Sequence, residues 1–458
     1  MRHRSLSESI AEPVRAELLS PLRSQVPRRI HPAAVRLPLL SSCELELLSH
    51  YITHASRVIP SDTDDMFALH VGMPNLAFTS GAVMGSMLAL SAACKCYDML
   101  KSTGATLEKH DEMRRLLALA DQHHQVSLGQ LQQDIIEAHF DSVLANAALM
   151  VLYAMSCHRV RVLLVRKAKA AGTVIPSDML PFQSQWITSI RAAHVAFVGL
   201  LQPGARPAPE AATPTYPSPS MLSEPGENQH FCEDGPSEET RRLVLPIVTA
   251  TYETALLKLR SRSEHSAAGG NSHSMADVKM EACMASLGIL EQLFLNILNS
   301  KQRPSAEPSP LYDFGVLENA SPWLIAYLAR VTSAAPSRLW RRAVTAFVNQ
   351  VPAAFLQLVQ SALDHMPVEE NQSSQHGEDE LMPMEPAHKP AMDIFAHWLV
   401  LVMLLDSVWW IGDIGHWELG RILRFMKTKD FKVELASGDD AWWPETMYAI
   451  QSTLTVLV

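Results

Sequence analysis

Apolar positions recur at steps of three and four along most of the chain, which is the period of a helix face. Ser41 followed by Glu44 has the form of a capping box. A helix is therefore expected to open after Ser41 and Ser42, with Leu45, Leu48, Ile52, Ala55 and Ile59 on one face, and to end at Pro60. Asp62–Leu69 reads as a short turn or helix. Thr79 or Ser80 then opens a long helix with Val83, Met87, Leu90, Cys94 and Tyr97 in register. Residues 109–170 read as helix broken near Gly129, and the almost wholly apolar Ser142–Cys157 belongs at the centre of a core. Pro176–Asp178 is a turn, and Pro181 suits the first position of a helix running to Leu201. Further helices are expected over 241–262, 276–301, 324–331, 337–364 with a break at Pro352, 391–411, 417–426 and 444–458. No alternating strand pattern and no fixed-period repeat is present. The expected fold class is all-α: one large multi-helix array over residues 40–458.

Composition and charge change this picture at three places. Residues 1–36 carry seven Arg against three Glu, so 1–39 reads as a mobile basic tail. Residues 202–240 hold eight Pro, and seven acids against Arg206. Residues 365–390 repeat that Pro- and acid-rich character. Both read as disordered insertions. They account for the net charge of −10, leaving the helical part nearly neutral and without the broad basic face that phosphate binding needs. Length alone allows roughly two to four domains. One is preferred, because the pieces on either side of residue 220 lack the polar faces of independent units.

The six cysteines are scattered, which excludes a disulfide framework. The N-terminal residues contain Glu8 and Glu12 rather than an apolar run, so no signal peptide is expected. Val71–Cys94 and Ile394–Ile411 superficially resemble membrane spans. Polar residues interrupt the first, and His397 and Asp406 the second, so both read as core helices of a soluble intracellular protein with no membrane partner.

Candidate chemistry is sparse. Cys94 and Cys96 invite a metal or redox reading, but they point about 200° apart on a helix and read as buried, inert thiols. Glu46, His50 and His54 share one face at metal-ligand spacing, but that face lies opposite Ile52 and reads as solvated. Asp62, Asp64 and Asp65 suggest the acidic metal motif of all-α terpene synthases, but Ala68 stands where its third carboxylate belongs, and capping acids explain them. Arg159, Arg161, Arg166, Lys167 and Lys169 form a basic stretch, either an import or anion patch or the cationic end of a helix; Arg28 and Arg29 are a weaker case. Residues 378–385 interleave acids with apolar residues, as acidic activation segments and solvated loops both do. Trp398, Trp409, Trp410, Trp417, Trp442 and Trp443 gather six of the nine tryptophans near the C-terminus, and Asp406 is the expected buried acceptor for an indole N–H. No phosphate loop, dinucleotide fingerprint or nucleophile elbow occurs. No catalytic, cofactor-binding or metal-ligating residue is assigned.

The run HWLVLVMLLDSVWWIGDIGHWELG at 397–420, with Trp442–Tyr448 after it, resembles the closing signature of the fungal-specific transcription factor domain, the regulatory region of fungal zinc-cluster transcription factors. Leu48–Arg57 and Asn75–Phe78, followed by an Ala- and Ser-rich helix, resemble its opening. The resemblance spans residues 40–458 and implies an all-α nuclear regulator, often pathway-specific, with control of secondary-metabolite genes as one such role. That family reads DNA through a compact cluster of six cysteines around zinc. Here the intervals between cysteines are 51, 2, 61, 75 and 51 residues, so this sequence contains no such cluster, nor a dimerising heptad run. The implied partners are a DNA-binding protein that brings the chain to DNA, other transcription factors or coregulators, and a small-molecule effector. Two other readings stand beside it: a non-transcriptional helical interaction scaffold, and an all-α metal-dependent enzyme using Asp62, Asp64 and Asp65.

Overall fold

The computed structural model describes residues 40–102, 107–200, 231–232, 234–268, 274–299, 320–335, 337–366, 385–428 and 441–457. The basic tail 1–39 and the stretches 202–230 and 367–384 lie outside the described residues. Leu40–Val458 forms one compact unit, and among the described residues every regular element is helical.

The first helix, α1 (Ser42–His50), opens with the capping box: the Ser41 hydroxyl accepts the Glu44 N–H and the Glu44 carboxylate accepts the Ser41 N–H. It continues as a π-helical turn over Tyr51–Ala55. This turn changes the buried face. Leu47, Tyr51, Ala55 and Ile59 are buried, whereas the expected stripe began at Leu45, which is 54 % exposed. A π-helix has more residues per turn than an α-helix, so steps of four stay on one side through this region.

Two short helices, α2 (Thr63–Phe67) and α3 (Met73–Ala77), lead to α4 (Gly81–Lys101), whose N-cap is Ser80. Its expected stripe is buried, and so is most of the rest of its surface. α5 (Leu107–Ile136) and α6 (Phe140–Ala171) pack on it. Asp134 pairs with Ser142, Ser127 with Asn146 and Asp121 with Tyr153, so α5 and α6 run antiparallel. Ser80 with Ser142, Ser86 with Asn146 and Leu100 with Lys167 set α4 parallel to α6. The expected break at Gly129 is absent. That glycine is exposed within α5, and the chain turns instead at Ala138, which has a φ of 58°. Pro181 likewise precedes its helix, α7 (Gln185–Leu200), rather than opening it.

The second half comprises α8 (Glu238–Leu243), α9 (Leu245–Ala268), α10 (Ser274–Leu298), α11 (Pro322–Val331), α12 (Trp340–Gln350), α13 (Ala353–Asp364), α14 (His388–Met403), α15 (Ile414–Thr428) and α16 (Trp443–Leu457). α14 is its axis, touching α9, α10, α12, α13, α15 and α16. It is buried almost all round, as its continuous apolar sequence requires. It stops at Met403, not near residue 411. Residues 404–413 form successive tight turns, with N–H to C=O bonds at i to i−3 from Leu404, Leu405, Val408 and Ile411.

The described residues reach into the ends of both expected insertions. Asp234 accepts the N–H groups of Trp340 and Arg341, capping α12, so the chain is already part of the fold before residue 240. Glu385 pairs with Lys279 at 2.5 Å, and α14 begins at His388. Two helices, Phe140–Ala171 and Asp277–Leu298, are long and apolar enough to cross a membrane by length and composition; the apolar window of the first is 83 % buried inside the fold and that of the second 44 %.

Candidate functional site

The segment 397–420 joins the two halves of the molecule. Trp398 is buried, stacks against Trp186 and Phe347, and donates its indole N–H to the Val344 carbonyl at 3.0 Å. Asp406 does not accept an indole as expected. It is half-buried and accepts the Ser237 N–H at 2.7 Å, the Ser237 hydroxyl at 2.6 Å and the Thr240 hydroxyl at 2.7 Å. It thus fixes the N-terminus of α8, where a carboxylate is favoured by the free N–H groups. The buried indole acceptor is Asp393, one turn before His397: Trp442 donates to it at 2.8 Å. Trp443 donates to the Thr251 hydroxyl. Among the described residues, the indole N–H groups of Trp409, Trp410 and Trp417 have no acceptor.

Asp393 also pairs with Arg262 at 2.8 Å and with His397 at 3.3 Å. Burial pushes its carboxyl up, but the hydrogen bond and charge of His397, with Arg262, reverse this and hold it at about 2. A second buried network links the halves directly. Glu418 of α15 pairs with His158 of α6 at 3.1 Å and with Arg421 at 2.8 Å, and Arg421 also donates to the carbonyls of Leu363 and Met366.

Of the basic stretch of α6, Arg159 and Arg161 are buried, Arg166 is half-buried, and Lys167 and Lys169 are exposed, so its two arginines nearest the core serve the fold and the stretch is not one continuous exposed patch. Arg159 donates to the Val408 carbonyl and lies over the Tyr97 ring. Arg161 pairs with Asp121, Arg166 with Asp413 at 2.8 Å, and Lys167 donates to the Leu100 carbonyl. Gly412 and Asp413 of the C-terminal segment therefore meet Arg159 and Arg166. Arg28 and Arg29 lie outside the described residues, as do residues 378–384.

Asp62, Asp64 and Asp65 are engaged by arginine. Asp62 caps α2 by accepting the Asp65 N–H. Asp64 pairs with Arg330 at 3.0 Å. Asp65 is buried and takes Arg342 at 2.7 and 2.8 Å, Arg341 and Arg330 each at 3.3 Å, and the Ser61 hydroxyl at 2.9 Å. Burial raises its carboxyl; Arg342, Arg341, Ser61 and Arg330 together bring it below the ordinary value. Beside this cluster is a cavity of about 70 Å³ walled by Ile59, Asp65, Tyr327, Arg341, Arg342 and Trp410. It has room for a few waters, against the roughly 300–1,000 Å³ of a small-molecule site. A larger cavity of about 210 Å³ lies where α4 ends and α5 begins, with Lys109, His110, Arg114 and Lys167 among its walls.

Cys94 and Cys96 are buried, as their positions predict. Burial raises both thiols, and the Asp98 carboxylate raises Cys94 further. Cys283 is pushed up to about 12 by burial. The Glu46, His50 and His54 face is not simply solvated. Glu46 turns away to Lys95 at 2.6 Å, while His50 and His54 close on α4, each reaching the same oxygen of Asp98. Sequence reasoning missed Asp98 because it lies 48 residues from His50 and belongs to a different helix.

No protein family, no curated protein and no solved structure matches this chain.

Proposed function

We propose that the chain is a fungal transcriptional regulator of pathway-specific type, acting in the nucleus through its helical domain. Control of a secondary-metabolite gene cluster is the role we assign it within that class. The observation that carries the reading is the position of the signature-like segment 397–420. Its Trp398 bonds to α12, Asp406 to the start of α8, and Val408 and Glu418 to Arg159 and His158 of α6, so the segment that resembles the family signature links these helices. The all-α architecture agrees with the resemblance.

In this reading these 458 residues, which include no six-cysteine zinc cluster, are brought to promoters by a DNA-binding partner and work with other transcription factors or coregulators. A small-molecule effector is part of this reading, and the cavity walled by Lys109, Asp111, Arg114 and Lys167 is the larger of the two described, with Arg114 already paired to Asp178.

The test is to tether the whole chain to a heterologous DNA-binding module in a fungal host with a reporter, and to profile transcripts after deletion of the gene. Regulation predicts altered reporter output and a coherent set of changed transcripts. A silent reporter, unchanged transcripts and an extranuclear location would instead favour the interaction scaffold. Mapping the 5′ end of the message asks separately whether a zinc cluster is encoded upstream in frame.

A further inference from the structure

We propose that His50, His54, Cys94 and Asp98 form a zinc site that ties α1 to α4. The four residues present one ligand atom each, and these atoms all lie within 4.8 Å of one another. His50 and His54 come from α1 and the π turn that continues it; Cys94 and Asp98 stand one turn apart on α4. Their donor set is two imidazole nitrogens, one thiolate and one carboxylate oxygen, the mixture that suits zinc among the common divalent ions.

The distances are those of a site slightly open. Bonds of about 2.0–2.3 Å in a tetrahedron place ligand atoms roughly 3.3–3.8 Å apart. His50 Nε2 and His54 Nε2 lie 3.3 and 3.1 Å from Asp98 Oδ2. The widest separation needs to close by only about 1 Å.

A second observation fixes how His50 faces this space. The Ser91 hydroxyl donates its proton to the Leu47 carbonyl at 2.7 Å. It can therefore only accept from His50 Nδ1, 3.2 Å away. Nδ1 must carry hydrogen, so in a neutral ring Nε2 presents its lone pair towards Asp98. A lone pair facing a carboxylate is repulsive, and either a proton or a metal cation between them removes the conflict. This Ser–His arrangement is the outer-shell support that orients metal-bound histidines. Lys95, next to Cys94 in the chain, does not compete, since it pairs with Glu46 and Glu112. On binding, the Cys94 thiol gives its proton to solvent; thiolate and carboxylate then balance the charge of the dication. Four protein ligands leave no open position, so the role is structural.

The alternative is that protons alone hold the cluster, with His50 as an imidazolium paired to Asp98. Cobalt(II) distinguishes the two. Purified full-length chain, stripped with chelator, is titrated with Co²⁺ and then Zn²⁺. The site predicts one equivalent bound with strong visible bands of tetrahedral cobalt and a thiolate-to-cobalt charge-transfer band, both displaced by zinc. Cys94→Ser should abolish the charge-transfer band. His54→Ala, at a half-exposed position, should weaken binding more than Ser91→Ala, for which a loss of about 10–100-fold is expected. His139→Ala, remote from the cluster, should change nothing. Weak octahedral cobalt without charge transfer, or an affinity indifferent to His54→Ala, would overturn the proposal. The wild-type spectrum decides the matter even if a variant fails to fold.

Discussion

The guanidinium of Arg159 occupies the space that a side chain at Gly412 would need. A Cβ at that glycine would overlap Nη1 and Cζ, and its φ of +40° is itself in the region that side chains avoid. Arg159 cannot simply withdraw, because it is buried and donates to the Val408 carbonyl at 3.0 Å. One glycine thereby allows the turns after α14 to close on α6.

Gly412→Ala should consequently destabilise the protein by more than about 3 kcal/mol, combining backbone strain with a displaced buried charge. Chemical denaturation monitored by tryptophan fluorescence measures this. An unchanged midpoint would mean that the turn relaxes freely and that the Arg159 contact carries no constraint.

Asp406 makes a related prediction. Leucine there removes the acceptor for one backbone N–H and two hydroxyls at the start of α8. The expected loss is about 2–4 kcal/mol, with a lower melting temperature and lower soluble yield. Asp406→Asn should lose less, since one oxygen remains to accept. Equal melting temperatures for wild type and Asp406→Leu would contradict the capping role.

Much of this was legible in the sequence where interactions are local. The capping box at Ser41 and Glu44, the stripe of α4 and the break at Pro352 follow from spacing alone. The errors arise where a local rule met a longer-range one. Gly129 costs about 1 kcal/mol in a helix, which the packing of the rest of α5 on α4 and α6 overrides. The face of α1 shifted because a π turn changes the period, and composition does not announce a π turn. Asp406 was readable as a satisfied acceptor, but its partners lie 166 and 169 residues away. The same holds for Asp65 with Arg341 and Arg342, 276 and 277 residues apart, and for the Asp98 and Cys94 contribution to the histidine cluster.

Asp65 should be intolerant of neutral replacement. Asp65→Ala removes the carboxylate that Arg330, Arg341 and Arg342 share, leaving the two buried ones longer carboxylate contacts of 3.6 Å to Asp234 and Asp62, and should cost about 3–5 kcal/mol. Circular dichroism melts of Asp65→Ala against Asp64→Ala check this. The exposed Asp64 pair should matter by about 1 kcal/mol or less. Comparable small effects at both positions would show that Asp65 is not the counter-ion of the cluster.

Acid sensitivity should begin well above the carboxylate range. Burial, with the charge of Arg166, holds His416 down to about 4, against the attraction of Asp413; the ring stacks on Tyr448 and bonds to the Ser452 hydroxyl at 2.9 Å. An unfolded histidine takes its proton near about 6.5. Between those values the unfolded chain binds a proton that the folded chain refuses, so stability falls as pH drops from about 6.5 towards 4 and the loss saturates below that. His416 alone accounts for about 2–3 kcal/mol. His70, His123, His124, His194 and His388, all lowered chiefly by burial, add in the same direction. Asp393 has the same sign in a lower window, its contribution being lost only from about 4 down to 2. Urea midpoints at intervals from pH 7.5 to 4 should therefore show a decline beginning near about 6.5. His416→Gln keeps a partner for Ser452 without titrating, and should flatten that decline. A His416→Gln profile parallel to wild type would remove this histidine from the account.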